Sequence, residues 1–533
     1  MSLKARIEDG IVHSPYPGGS VPKMSVFQAI KDRLVQHGER TALICKENKV
    51  TSSEMLKMLH QYAAGFQSHG VKPSDKVLVH ADDSLESFIA MYGVVFAGGV
   101  VIPSELASEQ DELLTKIKDG KASHVLTTPS EADLLKKLTE ETHIRGRFVV
   151  GDNPGFISVT NFKNVPEECF IDLPVVDVEK ELIGLCFTSG TTGRPKAVEN
   201  THYSCVAGLQ LYRYALNMMF DETETVGTMF AVTQTVGLRM IMRVVCSGAK
   251  CVIIPEGTSF DEMVDVVRRH KITTLFADTT DMHRLATHII KGGIRLPSVR
   301  NVVVIAVRVT EKAAETIFSA FCLKSFRSMY GATELSNVIS WMPRDTMEHK
   351  TIGFPAPDVQ MKVVDINTGK VLGPKEHGEL WVKSPTNMRA YYNNPDATAE
   401  VVTPKGWLRT GDIVYYDETG RFYIVERIKQ FFHCMGRQVA QSEIEAVLLS
   451  HEGVEEAAVI DVPHPEYSDV AKAFVVLKKS YRGPGRTRTQ ELQQFVADRL
   501  AAHKHLYGGV VLVDSIPKNS LGKTDKRSLK RSA

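Results

Sequence analysis

Cysteine is scarce in this chain, with eight residues in 533. That number is too small for a disulfide framework, and because no two cysteines form a C-x-x-C pair the sequence predicts no structural zinc site. Lys and Arg number 64 and Asp and Glu number 63, which leaves a formal net charge of +1. This balance lacks the basic excess of a nucleic-acid-binding protein and the acidic excess of a disordered scaffold. We therefore expect no nucleic-acid partner.

Long apolar runs are also missing. The longest, Phe88 to Pro103, is shorter than the ~20 residues that a bilayer span needs, and Gly98 and Gly99 interrupt it. It predicts a buried helix followed by a buried strand, and no transmembrane segment. The N-terminal residues lack the apolar core of a signal peptide, and the final KRSA does not match a peroxisomal S-K-L address. The expected location is the cytoplasm.

Short runs rich in valine and isoleucine recur between Lys76 and Gly331 without polar alternation, as expected of strands buried on both faces. The runs are KVLVH (76–80), HVLTT (124–128), GLCFTSG (184–190), CVIIP (251–255), TTLFAD (273–278) and NVVVIA (301–306). Helix-length segments lie between many of them, for example SFDEMVDVVRRH (259–270). The alternation predicts an α/β fold with parallel sheets in layered subdomains.

After these runs, the pattern of apolar residues changes twice. From Val359 to Val425 the chain alternates polar and apolar residues, with hairpin turns at 367–369 and 417–420, which predicts a β-rich antiparallel lobe. Beyond it, a helix at 442–451, two strand-like runs and a helix at 489–503 predict a smaller α+β C-terminal domain. We expect a large N-terminal domain over residues 1–427, a hinge at 428–430 and the small domain over 431–533.

The stretch FTSGTTGRPKAVENTH (187–202) is the most informative part of the chain. Its glycines allow a tight path around an anion, while hydroxyls and successive backbone N–H groups supply donors. Lys196 adds a positive charge suited to phosphate, and a helix is expected to start near Asn200-Thr201. The spacing is not that of a Walker A loop, and no G-x-G-x-x-G follows a strand, which disfavours a nicotinamide dinucleotide.

FTSGTTGRPK resembles the phosphate-binding loop of the adenylate-forming (AMP-binding) enzyme superfamily. Four further stretches resemble family motifs in the family's order: YGATE (330–334), GWLRTGD (406–412), ERIK (426–429) and PKNSLGK (517–523). TIGFPAP (351–357) and GELWVKSPTNMRAYYNNPDATAE (378–400) are similar to the branch of 4-coumarate–CoA ligases, long-chain acyl-CoA synthetases and beetle luciferases. The resemblance implies an N-terminal adenylation domain and a mobile C-terminal lid domain that rotates about the hinge.

The resemblance also implies the site. The ATP-binding residues would be Thr188, Ser189, Gly190, Thr191, Thr192, Gly193, Lys196, Tyr330, Gly331, Thr333, Asp412, Arg427 and Lys523. Of these, Lys196, Thr333 and Lys523, together with Glu334, would be catalytic. Glu334 would hold Mg²⁺ beside the phosphates, because a hard cation prefers carboxylate oxygen. Tyr330 would stack on adenine and Asp412 would accept from the ribose.

The implied reaction has two steps. A carboxylate and ATP give an acyl-adenylate and pyrophosphate, and coenzyme A then forms a thioester after the lid domain has turned about Lys429. His433, Gly436 and Gln438 would serve the second step. His433 stands where the family commonly has a lysine linked to thioester formation. A lysine with a pKa of about 10 is charged at neutral pH and a histidine near 6.5 mostly is not, so this step is expected to be slowed or lost.

The acyl pocket departs from the family further. Thr233 and Gln234 stand near the position of an aromatic or histidine gate, and Val307 and Arg308 replace a turn of small residues. Arg308 could clash with an acyl chain, pair with an acidic group of the substrate, or point to solvent, and the sequence leaves these alternatives open. Ala197 replaces the usual glycine after the loop lysine, a milder departure.

The sequence thus indicates an ATP-dependent carboxylate–CoA ligase that uses ATP, Mg²⁺ and coenzyme A. Its substrate would be a small carboxylic acid, and its oligomeric state a monomer or a homodimer. Two alternatives stay open: an adenylating enzyme whose acceptor is oxygen or a carrier thiol, and a non-catalytic descendant that binds nucleotide or acyl ligand. By family, a peroxisomal location is also possible, although the C-terminal tripeptide does not match.

Overall fold

The computed structural model describes residues 3–140, 142–188, 195–214, 220–305, 309–428, 431–435, 437–481, 485–518 and 523–532. The helices of these residues are α1 (Val26–His37), α2 (Ser52–Ser68), α3 (Leu85–Phe96), α4 (Gln110–Asp119), α5 (Ala132–Leu138), α6 (His202–Tyr214), α7 (Thr235–Cys246), α8 (Phe260–His270), α9 (Thr279–Lys291), α10 (Glu311–Ala320), α11 (Pro395–Val401), α12 (Gln441–Leu449), α13 (Gly485–Ala497) and α14 (Lys526–Arg531).

The strands of the N-terminal α/β part are β1 (Arg6–Glu8), β2 (Ile11–His13), β3 (Thr41–Cys45), β4 (Asn48–Thr51), β5 (Lys76–His80), β6 (Val100–Ser104), β7 (His124–Thr127), β8 (Gly146–Val149), β9 (Ile157–Ser158), β10 (Leu182–Phe187), β11 (Ala197–Thr201), β12 (Thr225–Thr228), β13 (Lys250–Ile253), β14 (Thr274–Asp278), β15 (Asn301–Ile305) and β16 (Ser325–Ser328). The later strands are β17 (Tyr330–Ala332), β18 (Asn337–Trp341), β19 (Met347–Glu348), β20 (Phe354–Pro355), β21 (Gln360–Val364), β22 (Gly378–Lys383), β23 (Leu408–Tyr416), β24 (Phe422–Arg427), β25 (Phe431–Cys434), β26 (Arg437–Ala440), β27 (Val454–His464), β28 (Ser468–Leu477) and β29 (Val510–Leu512).

Two large sheets form the layered part of the molecule. The first has the order β11-β10-β6-β5-β7-β8-β9 and is parallel except at β10–β11. The second has the order β19-β16-β15-β14-β12-β13-β3-β4 and is parallel except at β3–β4. The predicted parallel α/β fold is confirmed, and each Val/Ile-rich run named from the sequence contains a strand.

Helices fill the space between these sheets. One continuous apolar core contains residues of both sheets and of α1, α2, α3, α6 and α7, and α3 contacts both β6 and β3. Every residue of α3 except Glu86 is buried, because the helix is covered on all sides. The run Phe88 to Pro103 is therefore a buried helix followed by a buried strand, as its composition predicts.

The β-rich lobe is a six-stranded antiparallel sheet, β1-β2-β21-β22-β23-β24. A separate three-stranded sheet, β17-β18-β20, connects the layered part to it. Alternating burial is clear at the start of β21, whereas β22 and β23 each contain three consecutive buried residues, so parts of these strands are covered on both faces. The two short N-terminal strands, which add to β21, had no signal in the sequence.

The small C-terminal domain has its own apolar core, built around Phe432, Val459 and Leu492. Its sheet has the order β26-β25-β28-β27, with β29 beside β28. A hydrogen bond connects this domain to the large one in addition to the covalent chain. The buried carboxylate of Glu426 in β24 accepts it, at 2.8 Å, from the backbone N–H of Ser442 in the first turn of α12.

Some local expectations need correction. The loop after β10 returns through strand β11, which was not predicted. Helix α6 then begins at His202, with Thr201 accepting a hydrogen bond from the N–H of Ser204, so its expected start near Asn200-Thr201 is confirmed. The strand escaped notice because AVENT has no clear period. Helix α13 covers 485–497, not 489–503, since the chain passes into a short 3-10 turn at Ala502–Lys504.

All eight cysteines lie in the described residues and are unpaired. Within the same ranges, no helix combines the length and apolar character that a membrane crossing requires.

Candidate functional site

The neck of the glycine-rich loop is closed by Thr188 and Lys196. The N–H of Thr188 donates to the Lys196 carbonyl at 2.9 Å, and the Thr188 hydroxyl accepts from the Lys196 N–H at 3.1 Å. The antiparallel pair β10–β11 ends at Phe187 opposite Ala197, which places both ends of the loop together. The predicted loop residues Ser189, Gly190, Thr191, Thr192 and Gly193 lie outside the described residues.

Lys196, Tyr391 and Glu334 form one contact chain beside this neck. The Lys196 ammonium lies 4.8 Å from the centroid of the Tyr391 ring, and the Tyr391 hydroxyl donates to Oε1 of Glu334 at 2.8 Å. Burial raises the pKa of Tyr391, and the Glu334 charge raises it further, so the phenol is a stable donor. Thr333 adjoins this group through the backbone, at a partly exposed turn.

Backbone pairing brings these residues together from distant parts of the sequence. The N–H of Glu199 donates to the Ala390 carbonyl at 3.0 Å, and the N–H of Tyr392 donates to the Ala197 carbonyl at 2.8 Å. The Arg389 side chain then binds the buried Glu199 carboxylate at 2.6 Å. The segment 389–392 thus acts as a short extra strand beside β11, and Ala197 is buried in that pairing.

A second group of contacts joins Tyr330, Asp412 and Arg427. The Tyr330 hydroxyl donates to Oδ2 of Asp412 at 2.5 Å, and Nε of Arg427 lies 2.7 Å from Oδ1. Tyr330 and Asp412 are 7% and 4% exposed. Burial, followed by the Asp412 charge, raises the pKa of Tyr330, whereas the Asp412 charge is the main cause of the raised pKa of Arg427. β23 and β24 supply the acid and the arginine as cross-strand partners.

Gly331 separates the two groups. A Cβ at this position would lie 2.5 Å from the Asn337 carbonyl oxygen, because β17 and β18 approach closely here. A larger residue would therefore displace the hairpin that carries Thr333 and Glu334.

Lys523 of the small domain interacts electrostatically with the Asp412 group. Burial lowers the pKa of its ammonium, and the Arg427 charge lowers it further, while the charges of Asp412 and Asp278 act in the opposite direction. Asp278 also caps α9 by accepting from the N–H groups of Thr280 and Asp281. Lys523 thus interacts electrostatically with residues of the large domain that lie 96 to 245 positions earlier in the chain, Arg427, Asp412 and Asp278.

The expected acyl-pocket residues are only partly described. Thr233 is buried, at 2% exposure, and Gln234 precedes the first residue of α7. The Gln234 amide donates to Oε2 of Glu105 at 3.1 Å, and burial raises the pKa of Glu105 to about 7. Val307 and Arg308 lie outside the described residues, so the alternatives for Arg308 stay open.

The residues expected to serve a thioester step lie on the small domain. His433 in β25 and Gln438 in β26 are backbone partners in a hairpin. Gly436, at its turn, and Lys429, at the expected hinge, lie outside the described residues.

The described residues contain no group of three or more His, Cys, Asp or Glu side chains that could enclose a metal ion. Magnesium seldom needs such an enclosure, since it is commonly held by one or two carboxylates together with substrate phosphates. Glu334, with one carboxylate oxygen engaged by Tyr391, fits that mode of binding.

Three contacts of this site were not found from the sequence. Tyr391 lies inside the stretch 378–400 that resembles the family, which was its only signal. Asp278 is the last residue of the recognised strand β14, at the carboxyl edge where functional residues of parallel sheets collect. Glu105 had no signal, because its partner is 129 residues away.

Comparison with known proteins identifies two family models that match the chain. The family model described as AMP-binding enzyme matches residues 30–392, and that of the AMP-binding enzyme C-terminal domain matches residues 443–523.

Relatives span most of the chain. A luciferin 4-monooxygenase of Photinus pyralis is 27% identical, over 91% of this chain and 89% of its own. A protein named 4-coumarate–CoA ligase-like 6, of Oryza sativa subsp. japonica, is 29% identical, over 87% of this chain and 78% of its own. The crystal structure of ATP-bound MatB from Rhodopseudomonas palustris has the same fold, with a TM-score of 0.84, 23% identity and coverage of 96% of this chain and 99% of that one.

Proposed function

The chain belongs to the AMP-binding enzyme family, and on that premise we propose that it is an ATP-dependent carboxylate–CoA ligase. The observation that carries the proposal is the position of Lys523. This lysine comes from the small domain, yet it lies within reach of the charges of Asp412 and Arg427 in the large one. A cation from a separate domain beside these residues supports a reaction on a nucleotide held between the domains.

ATP would bind with its phosphates at the loop and its ribose at Asp412. The hydroxyls and N–H groups of residues 188–193, with Lys196 and Thr333, would hold the phosphate oxygens. Asp412 already accepts from Tyr330 and Arg427, which fixes its carboxylate before any ribose arrives. Because the Tyr330 hydroxyl is engaged there, its ring would be held in place to meet the adenine.

Mg²⁺ would be held by Glu334, and when bound it would neutralise part of the phosphate charge. The hydrogen bond from Tyr391 orients the Glu334 carboxylate, and the same ring supports the Lys196 ammonium. The Tyr391 side chain therefore holds both the Glu334 carboxylate and the Lys196 ammonium in position.

In the first step, a carboxylate oxygen of the acid attacks the α-phosphorus of ATP. A new phosphorus–oxygen bond forms, the bond to the β,γ-phosphates breaks, and pyrophosphate leaves with the electron pair. Lys523 would stabilise the negative charge that gathers on the transferred phosphoryl group, as a fixed donor does in a site closed to water.

In the second step, the thiol of coenzyme A would attack the acyl carbon, form a thioester and release AMP. We assign this step to a second orientation of the small domain, over residues 431–533, with the hinge at 428–430 and with His433, Gly436 and Gln438 facing the site. The luciferin 4-monooxygenase relative favours one alternative, an adenylating enzyme with another acceptor.

Pyrophosphate release with a panel of carboxylic acids, measured with and without coenzyme A, tests the proposal. Release together with a thioester is expected. Release without a thioester would support another acceptor. Bound ATP without any release across the panel would show a non-catalytic protein and contradict the proposal.

A further inference from the structure

A buried asparagine, Asn200, links the strand pair that carries the glycine-rich loop to the turn that carries Glu334. It lies in β11 and is 2% exposed. Its side-chain amide donates to the carbonyl of Val198, in the same strand, at 3.0 Å. Its Oδ1 accepts from two other elements, through Arg239 of α7 and Ser336 beyond β17. One side chain thus contacts three parts of the large domain.

Ser336 ends the turn between β17 and β18 in a backbone conformation that serine seldom adopts. Its φ is 51°, in the left-handed region, and the residue is 1% exposed. A residue with a Cβ is disfavoured in this region and persists there only where its surroundings hold it. The Ser336 N–H donates to the Thr333 carbonyl at 3.0 Å, and the hydroxyl donates to Oδ1 of Asn200 at 2.8 Å. The bond to Asn200 is therefore one of the contacts that maintain the turn.

The same turn is held from a second side, through Glu334 itself. The Met388 N–H donates to the Glu334 carbonyl at 2.8 Å, and the Tyr391 hydroxyl donates to its carboxylate. The segment 389–392 that carries this second anchor is in turn paired with β11. Both anchors of the turn therefore depend on the strand that follows the glycine-rich loop.

Arg239 fixes the direction of the Asn200 amide. Its Nη2 donates to Oδ1 of Asn200, and a hydrogen bond from a charged donor is stronger than one between neutral groups. Leucine, of similar size, would offer no acceptor and would leave the buried Ser336 hydroxyl without this bond. Aspartate would keep an acceptor for both donors. The two replacements therefore differ in the one property that the turn requires.

We propose, on the basis of the proposed function, that Asn200 is a positioning residue for the nucleotide and its metal. Through the Ser336 hydroxyl it fixes the turn that presents Glu334. The loop neck at Lys196 directly precedes β11, so one strand sets the positions of the phosphate-binding loop and of the acid that would hold Mg²⁺. Loss of the link is expected to weaken the contribution of Mg²⁺ to ATP binding more than ATP binding itself.

The Kd for ATP, measured by isothermal titration calorimetry with Mg²⁺ and again with EDTA, tests the proposal. In the wild-type protein the ratio of the EDTA value to the Mg²⁺ value is expected to exceed one. Asn200→Leu and Ser336→Ala are each expected to lower that ratio about fivefold, the effect of one hydrogen bond, and to change the EDTA value less than about twofold. Asn200→Asp, which keeps the acceptor, should retain the ratio.

Ser336→Ala leaves the contact between Arg239 and Asn200 intact, so this variant isolates the link to the turn. The double variant Asn200→Leu/Ser336→Ala should lose no more than either single variant, because both substitutions remove the same hydrogen bond. Ser325→Ala, which removes another buried serine hydroxyl, in β16, is the control and should keep the wild-type ratio.

An unchanged ratio in either single variant overturns the proposal, as does equal weakening of ATP binding with and without Mg²⁺. Losses that multiply in the double variant, or a wild-type affinity that Mg²⁺ does not change, also overturn it. Failure of the proposed function is distinguishable from these outcomes. A wild-type protein that binds ATP more tightly with Mg²⁺ but releases pyrophosphate with no acid contradicts the ligase, whereas the positioning role of Asn200 still stands if its variants behave as expected.

Discussion

Tyr391 shows how one side chain can organise a site. Its hydroxyl fixes an oxygen of Glu334 and the face of its ring lies near the Lys196 ammonium, so the acid and the cation stay apart although both lie near the same loop. Without the ring, the two opposite charges would be free to pair with each other. A ligand that needs both would then have to separate them first.

Tyr391→Phe removes only the hydroxyl and is expected to lower kcat/KM for pyrophosphate release by about tenfold. A hydrogen bond to a charged group contributes about 1.5–3 kcal/mol, and part of that orients Glu334 in the reacting complex. The measurement is initial rate against ATP concentration. Tyr392→Phe, with a ring near Lys76 instead, is the matched control. Equal rates for both variants would exclude an orienting role for Tyr391.

At the scale of elements, the contact between Glu105 and Gln234 joins the end of β6 to the start of α7. It thereby links the first sheet to the helix that borders the expected acyl pocket. Burial raises the pKa of the Glu105 carboxyl, the hydrogen bond from Gln234 and the charge of Lys116 lower it, and the charges of Glu256 and Glu112 raise it. Burial dominates, and the carboxyl is protonated up to about pH 7 in the folded protein.

Glu105→Gln is expected to stabilise the protein at alkaline pH. The pKa of this carboxyl rises from 4.5 to about 7 on folding, so between these values the folded protein retains a proton that the unfolded chain has lost. Rising pH therefore lowers the free energy of unfolding, by at most about 3 kcal/mol. A glutamine at this position does not titrate, so the variant does not lose this stability, and its amide oxygen still accepts from Gln234. Thermal midpoints at pH 5 and pH 8 measure it.

The variant's advantage in midpoint over the wild-type protein should grow from pH 5 to pH 8. Glu109→Gln, at an exposed position nearby, supplies the control and should show no such growth. An advantage of the same size at both pH values would contradict a buried, protonated Glu105.

Prediction from the sequence succeeded where local pattern and motif determine the outcome. Strands buried on both faces, the buried α3 and the antiparallel lobe all follow from hydrophobic period. It failed at β11 because AVENT (197–201) has no clear hydrophobic period. It failed at Tyr391 because that residue joins the site through pairing with β11, almost 200 residues earlier. Arg239 and Glu105 also acquire partners only through the packing of α7, which no local period records.

At the scale of the whole molecule, the proposed site draws on both domains. The loop, the hairpin of Glu334 and the pair Asp412–Arg427 all belong to the large domain, and Lys523 alone comes from the small one. Burial lowers the pKa of its ammonium, and the charge of Arg427 in the large domain lowers it further. Adenylation and any later transfer should therefore respond differently to its loss.

Lys523→Ala is expected to lower adenylation at least hundredfold, because one charge-stabilising donor is typically worth that factor. Transfer from a chemically prepared acyl-adenylate to coenzyme A should continue, since that step would use another face of the small domain. Pyrophosphate release and thioester formation are measured separately. Lys518→Ala, whose side chain pairs with Glu456, is the control. An adenylation rate equal to that of the wild-type enzyme would remove Lys523 from the mechanism.

The bond between Glu426 and the N–H of Ser442 has a mechanical consequence. The Glu426 carboxylate of the large domain accepts from a backbone N–H in the first turn of a helix in the small domain. A rotation of the small domain that separates these groups must expose both of them to water. Breaking a charge-assisted hydrogen bond of this kind costs about 1.5–3 kcal/mol. The small domain should therefore exchange between a few discrete orientations rather than vary continuously, and the Glu426 hydrogen bond stabilises one of them.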